Sequence, residues 1–143
     1  MRTRVPDRPA RGLVDTSVVI ALARIEPQVL PAEVAISAVT LAELAAGPHA
    51  ASDGAERARR QETLQRAEAA FEALPVDGGV ARAYGRVYAA VTAAGRQGRG
   101  RRAFDLLIAA TALAHDLPLY TRNAGDFARL DDLVDVVELS TSS

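Results

Sequence analysis

Four carboxylates stand where apolar stretches of this sequence give way to turns or helix starts: Asp15, Glu43, Asp105 and Asp126. The carboxyl ends of parallel strands open onto a crevice into which helix N-termini point, so such residues can be gathered at one sheet edge. Two carboxylates 4 Å apart repel by about 4 kcal/mol at an effective dielectric near 20. Protons or cations must therefore neutralise a cluster of this kind.

The donor set predicts which cation would be bound. Carboxylate oxygens without thiolate or imidazole suit the hard ions Mg²⁺ and Mn²⁺. The chain has no Cys, which excludes thiolate metal sites, disulfides and cysteine nucleophiles. A bound ion of this type generates a hydroxide nucleophile and stabilises charge on a phosphoryl group. The residues thus favour metal-assisted phosphodiester hydrolysis, and we interpret His49 and His115 as a loop residue and a helix-end residue without a chemical role.

Each acid also has a structural explanation as a helix cap. Asp15 can cap the helix that follows it, and Glu43 lies three residues after Thr40, which is the spacing of a capping box. Asp105 begins an apolar helix, where a carboxylate favours the helix dipole. Asp126 follows an asparagine by three residues, again a cap-like spacing. Capping and metal binding do not exclude each other, so both interpretations stay open for each acid.

The elements that would position these acids alternate between short apolar strands and helices. Strands are predicted near residues 12–14, 34–37, 75–77, 117–121 and 134–139, and helices at 17–26, 40–48, 52–74, from 78 to about 94, at 104–114 and, briefly, after 123. This alternation predicts a three-layer α/β/α domain with a mainly parallel central sheet. We expect one domain over residues 1–143, with 1–11 as a flexible arm and 140–143 as a polar tail.

Composition narrows the possible partners. The formal net charge is -1, so attraction to nucleic acid would need a local positive patch. No stretch approaches the roughly 20 apolar residues of a membrane span, and we expect a cytoplasmic protein that does not enter a membrane. Every basic residue is an arginine, and four of them lie in a glycine-rich loop just before Asp105: Arg96, Arg99, Arg101 and Arg102.

In this order along the chain, four motifs resemble the PIN-domain nucleases, and among them the VapC-type toxins of bacterial toxin-antitoxin pairs. The motifs are Val14-Asp15-Thr16-Ser17, Thr40-Leu41-Ala42-Glu43-Leu44, Asp105-Leu106-Leu107-Ile108-Ala109-Ala110-Thr111-Ala112 and Thr121-Arg122-Asn123-Ala124-Gly125-Asp126-Phe127. The resemblance extends from Leu13 to about Glu138. It implies that the four acids hold one or two Mg²⁺ or Mn²⁺ ions, with supporting roles for Thr16, Thr121 and Asn123.

The resemblance also implies a reaction and partners. The reaction would be endonucleolytic cleavage of RNA by a metal-activated water, leaving 5′-phosphate and 3′-hydroxyl ends. The partners would be a VapB-like antitoxin and a second copy of the chain, in a homodimer and in a heterotetramer or larger complex with antitoxin. Apart from the resemblance, four positive charges just before Asp105 on a chain of net charge -1 suggest that these arginines guide RNA to the metal site. A solvated, disordered loop is the slightly favoured explanation, because the glycine spacing gives the arginines no fixed geometry.

Two other functions remain open at this point. One is a PIN-like RNA-processing nuclease that has no antitoxin. The other is a non-catalytic α/β signalling module that uses the acidic pocket for Mg²⁺. The signalling interpretation is disfavoured because a receiver-like domain needs a lysine near its end, and the chain contains none.

Overall fold

Five short strands form one sheet in which each neighbouring pair is parallel. The structure is a computed structural model that describes residues 10–95 and 101–141. The strands are β1 (Arg11–Val14), β2 (Glu33–Ser37), β3 (Glu72–Leu74), β4 (Leu119–Thr121) and β5 (Val136–Glu138), in the order β3-β2-β1-β4-β5. The predicted parallel sheet is confirmed.

Helices cover both faces of the sheet. They are α1 (Thr16–Ile20), α2 (Ala38–Ala50), α3 (Gly54–Ala70), α4 (Gly78–Ala93) and α5 (Arg101–Ala114), with 3-10 turns at Leu22–Arg24, Pro27–Val29 and Ala124–Phe127. One hydrophobic cluster joins the sheet to α4 and α5, and a second joins it to α1, α2 and α3. The predicted three-layer α/β/α arrangement is therefore confirmed.

The alternation of side chains along β1 explains why the core has two halves. Leu13 belongs to the cluster with α4 and α5, whereas Val14 belongs to the cluster with α1, α2 and α3. Both side chains are fully buried. Since successive strand residues point to opposite faces, a central strand covered on both sides must be apolar at consecutive positions.

The strand order places a topological switch point beside β1. The chain steps outward from β1 to β2 and β3, and then returns to the other side of β1 for β4 and β5. Connections on the two sides of such a point diverge and leave a crevice at the carboxyl ends of the strands. Asp15 follows β1 directly, and Thr121 ends β4, so both lie at this crevice.

One helix runs through a predicted stop. The Gly47-Pro48 pair was expected to end α2, but the helix continues to Ala50. Proline in the last turn removes a single backbone donor. The free carbonyl oxygens at this end find partners on α3, because Arg60 Nη1 donates to Gly47 O at 3.0 Å and Arg57 Nε lies 3.3 Å from Pro48 O. Tertiary contacts therefore satisfy the groups that the local sequence leaves open.

The third strand lies three residues earlier than predicted, at 72–74 and not at 75–77. Phe71 and Leu74 continue the apolar spacing of α3, so the sequence pattern did not show that this helix ends at Ala70. Leu74 is buried because β3 pairs with β2, with Ser37 opposite Leu74. Three residues of alternation are too few to stand out against a helical period. The first helix is also shorter than predicted, since α1 ends at Ile20 and a 3-10 turn follows.

Most of the predicted N-terminal arm, residues 1–9, lies outside the described residues, as do residues 142–143 of the predicted tail. Arg11 already belongs to β1. Among the described residues, none of the helices has the length and apolar character needed to cross a bilayer.

Gly12 is required by a close approach inside the sheet. A Cβ at this position would lie 2.7 Å from Tyr120 Cε1 and 2.9 Å from Pro31 Cγ. We expect Gly12→Ala to lower the stability by about 1–3 kcal/mol, which is the usual cost of overpacking. Thermal unfolding followed by circular dichroism measures the change. The matched control is Gly85→Ala in α4, where a Cβ would meet nothing within 4 Å, and this variant should be slightly more stable than the parent. Equal melting temperatures for the two variants would contradict the packing argument.

Candidate active site

A cavity of about 580 Å³ opens at the switch point of the sheet. Its lining contains all four predicted acids and is formed by Asp15, Thr16, Ser17, Ile20, Glu43, Arg102, Asp105, Asn123 and Asp126. Asp15 directly follows β1, Asn123 and Asp126 come from the segment after β4, and the other lining residues belong to α1, α2 and α5. The fold thus brings together carboxylates that are up to 111 positions apart in the sequence.

Asp15 is the most firmly held of the acids. It is 6% exposed, and its Oδ1 accepts from Ser17 Oγ at 2.6 Å and from the Val18 N–H at 3.2 Å. Its Oδ2 accepts from Thr121 Oγ1 at 2.5 Å. Burial raises the pKa of Asp15, although these hydrogen bonds oppose the shift. The residue caps α1, as its structural explanation required, and it lines the cavity as well.

Glu43 is held by a hydroxyl from a different element. Thr16 Oγ1 lies 2.7 Å from Glu43 Oε1 and 3.1 Å from Thr40 Oγ1. The capping-box explanation of Glu43 is wrong, because α2 begins at Ala38 and its N-cap is Ser37, whose hydroxyl accepts from the Val39 N–H. Glu43 therefore lies inside the helix, and its carboxylate is directed by α1 and not by the end of α2.

Asp105 carries the largest electrostatic strain in the cavity. It is the fifth residue of α5, which is described from Arg101, so the helix-start explanation is wrong. Its pKa is raised to about 6, first by burial and then by the charges of Asp126, Glu43 and Asp15. Arg102 acts in the opposite direction. Three carboxylates that each disfavour ionisation of Asp105 form a site with uncompensated negative charge.

Asp126 completes the cavity from an exposed turn. It lies in the 3-10 turn that follows Asn123, and its backbone N–H donates to Asn123 O at 2.9 Å. Its carbonyl oxygen accepts from Arg102 Nη1 at 2.6 Å. Arg102 Nη2 is buried and has no hydrogen-bond partner among the described residues. The Arg102 guanidinium thus fixes the turn that carries Asp126 through Nη1, while its Nη2 is not engaged by any described residue.

The three predicted supporting residues lie around the acids. Thr16 contacts Glu43, Thr121 donates to Asp15, and Asn123 lines the cavity while its backbone N–H donates to Thr121 Oγ1 at 3.0 Å. Sequence reasoning missed Ser17, which donates to Asp15 and accepts from the Arg122 N–H at 3.1 Å. Its position two residues after Asp15 is the sequence signal that could have identified it.

The donors fit a hard cation, but they do not form a closed chelate. Among residues 10–95 and 101–141, no three His, Cys, Asp or Glu side chains are gathered tightly enough to hold an ion as they stand. Mg²⁺ commonly keeps several water ligands and is bound by one or two carboxylates, so an open ring of oxygen donors remains compatible with it. The raised pKa of Asp105 follows from the same arrangement, since burial and the charges of the neighbouring acids disfavour its ionisation.

The structure describes only some of the four arginines that were predicted to guide RNA to the acids. Arg96 and Arg99 lie outside the described residues, and of Arg101 only the backbone position in α5 is described. Arg102 is the member of this group that the structure places in the cavity. The histidines are elsewhere: His49 is exposed in the last turn of α2, His115 follows α5, and neither lines the cavity.

Several known proteins are similar to this chain in fold and in sequence. The family model described as PIN domain matches residues 12–133. Ribonuclease VapC5 of Mycobacterium tuberculosis is 40% identical over 131 residues, which cover 90% of this chain and 93% of that protein. The crystal structure of VapBC-5, a toxin-antitoxin system of the same organism, matches with a TM-score of 0.80 at 40% identity and covers 91% of this chain and 99% of that one. FitAcB from Neisseria gonorrhoeae matches with a TM-score of 0.70 at 30% identity, over 88% and 96% of the two chains.

The electrostatics predict that Asp105 lowers the stability of the metal-free protein. Its folded-state pKa of about 6 lies above the ordinary value of 3.8, so its ionisation costs stability as the pH rises from about 4 to 6, and the loss persists above 6. In the presence of a chelator, Asp105→Asn should therefore be more stable than the parent at pH 7.5, by about 1–2 kcal/mol after allowance for solvent screening. The gain should disappear near pH 4.

Thermal unfolding across this pH range measures the effect. Asp131→Asn, which removes the same charge from an exposed position, serves as the control and should change little at any pH. A variant at Asp105 that is less stable than the parent at pH 7.5 would mean that the residue has a structural role.

Proposed function

Because this chain belongs to the PIN-domain family, we propose that it is a metal-dependent endoribonuclease and the toxin of a toxin-antitoxin pair. The observation that carries the proposal is the convergence of Asp15, Glu43, Asp105 and Asp126 on one cavity at the switch point. The relationship to Ribonuclease VapC5 supports RNA as the substrate. Membership in this family disfavours the signalling module as an alternative.

The cofactor of the proposed reaction is Mg²⁺ or Mn²⁺, held by the four carboxylates. When bound, such an ion supplies a water of lowered pKa and stabilises the charge that develops on the phosphoryl oxygens. Asp15 is suited to be the fixed ligand, since its hydrogen bonds to Ser17 and Thr121 leave its carboxylate little freedom. A bound cation would favour ionisation of Asp105, which burial and the neighbouring acids otherwise disfavour.

The proposed chemistry is hydrolysis of an internal phosphodiester bond. A water oxygen forms a bond to phosphorus and that water gives up a proton, while the bond from phosphorus to the 3′ oxygen breaks and the 3′ oxygen gains a proton. The products are a 5′-phosphate and a 3′-hydroxyl end. Among this chain's own groups, Glu43 is positioned by Thr16 to face the cavity, and Asn123 offers a neutral amide at its rim. The reaction needs no histidine base.

Arg102 is proposed to contact the RNA backbone. Its Nη2 is buried and lacks a partner among the described residues, and the residue lines the cavity that would receive a phosphate. A guanidinium is well matched to phosphate oxygens. The proposal extends to Arg96, Arg99 and Arg101 from their sequence positions, because a run of cations before Asp105 would supply positive charge on a chain of net charge -1.

The proposed protein partner is an antitoxin. Solved relatives are described as toxin-antitoxin systems, including VapBC-5 and, in fold, a DNA-bound VapBC2 from Rickettsia felis. We propose that the chain forms a homodimer and, with a VapB-like antitoxin, a heterotetramer or larger complex. A cytoplasmic location is part of this proposal, since the RNA substrate and the antitoxin would be met there.

Cleavage should depend strictly on a divalent cation, because the proposed ligands are all oxygens and carry clustered charge. Purified protein should cut total cellular RNA with Mg²⁺ or Mn²⁺ and not after exhaustive chelation, and end mapping should find 5′-phosphates. Asp105→Asn should reduce the rate more than about 100-fold, since even an outer-shell partner of a metal ligand is worth about 10–100-fold.

Two controls accompany this experiment. Asp131→Asn should retain activity, because it removes a carboxylate remote from the cavity. The double variant His49→Gln with His115→Gln should retain turnover, since neither side chain lines the cavity. Cleavage that survives chelation would refute the proposed mechanism.

The antitoxin should be recognisable by its effect on growth. Expression of this chain alone should arrest growth, and co-expression with a small DNA-binding protein encoded beside it should restore growth and give a complex that survives gel filtration. Expression of Asp105→Asn is the control and should be harmless, because the variant lacks the proposed activity. If no neighbouring product binds while RNA is still cut, the toxin assignment weakens and the nuclease assignment stands, which favours an RNA-processing nuclease without an antitoxin.

A further inference from the structure

A second cavity of about 550 Å³ adjoins the acidic one. The two cavities share Thr16, Ile20 and Glu43, and the second extends away from the acids between α2 and α3. A cavity of this volume falls within the range of small-ligand sites, which is about 300–1,000 Å³. Any long substrate with a reacting group in the acidic cavity must place its neighbouring groups in such adjoining space.

The boundary that the two cavities share contains one exposed apolar side chain, Ile20, beside the polar Thr16 and Glu43. Ile20 ends α1 and is 64% exposed, whereas the two valines that precede it, Val18 and Val19, are buried. On the second cavity's side, Leu44 contributes a further apolar surface, and Gly47 contributes no side chain. An exposed isoleucine beside a row of carboxylates has no role in the core, whereas it offers a flat planar ligand an apolar surface next to the reacting group.

The polar wall of this cavity comes from α3, and its charges are already paired. Glu56 accepts from Arg60 Nε at 2.8 Å and from Arg59 Nε at 3.0 Å, and Arg60 Nη1 donates to Gly47 O. These arginines hold the pKa of Glu56 below its ordinary value, Arg60 more than Arg59, so the carboxylate stays ionised. Because these donors are already engaged, they do not form a phosphate site. They give the cavity a wall with both donors and acceptors, and Ile20 and Leu44 give it apolar surface.

We propose that the second cavity seats the base of a nucleotide that flanks the scissile phosphate, and thereby contributes to the choice of cleavage site. The inference rests on the proposed ribonuclease function. A nucleobase combines apolar faces with a polar edge, which matches Ile20 and Leu44 below the wall of α3. The volume suits one nucleotide, and continuity with the acidic cavity through Thr16 and Glu43 connects the base to the phosphate that is cut.

Filling the cavity tests this assignment. Thr63 lines the cavity from α3, so Thr63→Trp should occupy the space for the base and leave the acids untouched. Gln65→Trp, on an exposed position of the same helix, is the matched control. Ile20→Ala is a second variant that should preserve the fold, because it truncates an exposed side chain. Circular dichroism establishes folding of each variant before kinetics are measured.

The substrates are a short single-stranded RNA that contains the mapped cut and two versions with an abasic residue on either side of it. With the parent protein, one abasic position should raise KM about tenfold, as loss of a single base contact predicts. Thr63→Trp should raise KM about tenfold for the intact RNA and show no further penalty for the abasic one. Ile20→Ala should change KM in the same direction, and Gln65→Trp should behave as the parent.

Each remaining outcome overturns the inference. Independent, multiplied penalties from Thr63→Trp and the abasic residue would show that the base lies elsewhere, and so would indifference of the parent to both abasic positions. If Thr63→Trp keeps its dependence on the base but no longer binds the antitoxin, the cavity accommodates a peptide segment instead. Failure of the parent to cut any RNA is a separate result: it refutes the proposed function itself, and the base subsite with it.

Discussion

Repulsion among carboxylates gathered in one partly desolvated cavity is the constraint on which this structure depends. Asp105 would ionise freely in water, yet burial and the charges of three neighbouring acids raise its pKa to about 6. Such an arrangement persists only because elements that are stable for other reasons hold it in place. The buried parallel sheet supplies the scaffold, and its switch point supplies the crevice.

Hydroxyl groups convert this scaffold into a defined geometry. Ser17 and Thr121 donate to Asp15 from α1 and from the end of β4, so a single carboxylate bridges the two sides of the switch point. Thr16 directs Glu43 in the same manner across α1 and α2. Neutral donors orient carboxylates without cancelling their charge, which leaves that charge available to a cation. Arg102 is the exception, because its positive charge lowers the pKa of Asp105 while its side chain holds the turn that carries Asp126.

In the proposed function, the acidic cavity carries the chemistry and the adjoining cavity contributes to recognition of the RNA. The acidic cavity concentrates negative charge, which favours a metal ion and disfavours bare RNA. The adjoining cavity has apolar residues on one side and ion-paired residues of α3 on the other. It can therefore contribute affinity for RNA through contacts with a base and not through net charge. Ile20 and Thr16 lie at the boundary of both, and a change in α1 would therefore affect the positioning of substrate and of Glu43 together.

Much of the fold followed from local sequence. Consecutive apolar residues such as Leu13 and Val14, with helices between the strands, predicted a parallel sheet covered on both faces. The four acids were identified because the sequence pattern predicted them at strand ends and helix starts, whereas Glu43 and Asp105 lie inside α2 and α5. Local patterns failed where distant elements intervened. They ended α2 at Gly47-Pro48, which arginines of α3 stabilise, and they placed β3 three residues late, since only pairing with β2 defines that strand.

The site shows the same division between sequence and tertiary structure. Residue types alone predicted a site of oxygen donors, because the chain has four candidate acids and no cysteine. Tertiary structure decided that Glu43 lies within a helix and is directed by Thr16, that Ser17 anchors Asp15, and that Ile20 is exposed between two cavities. Hydrogen-bond partners and exposure depend on groups brought together across the chain, and helical or strand periodicity carries no information about them.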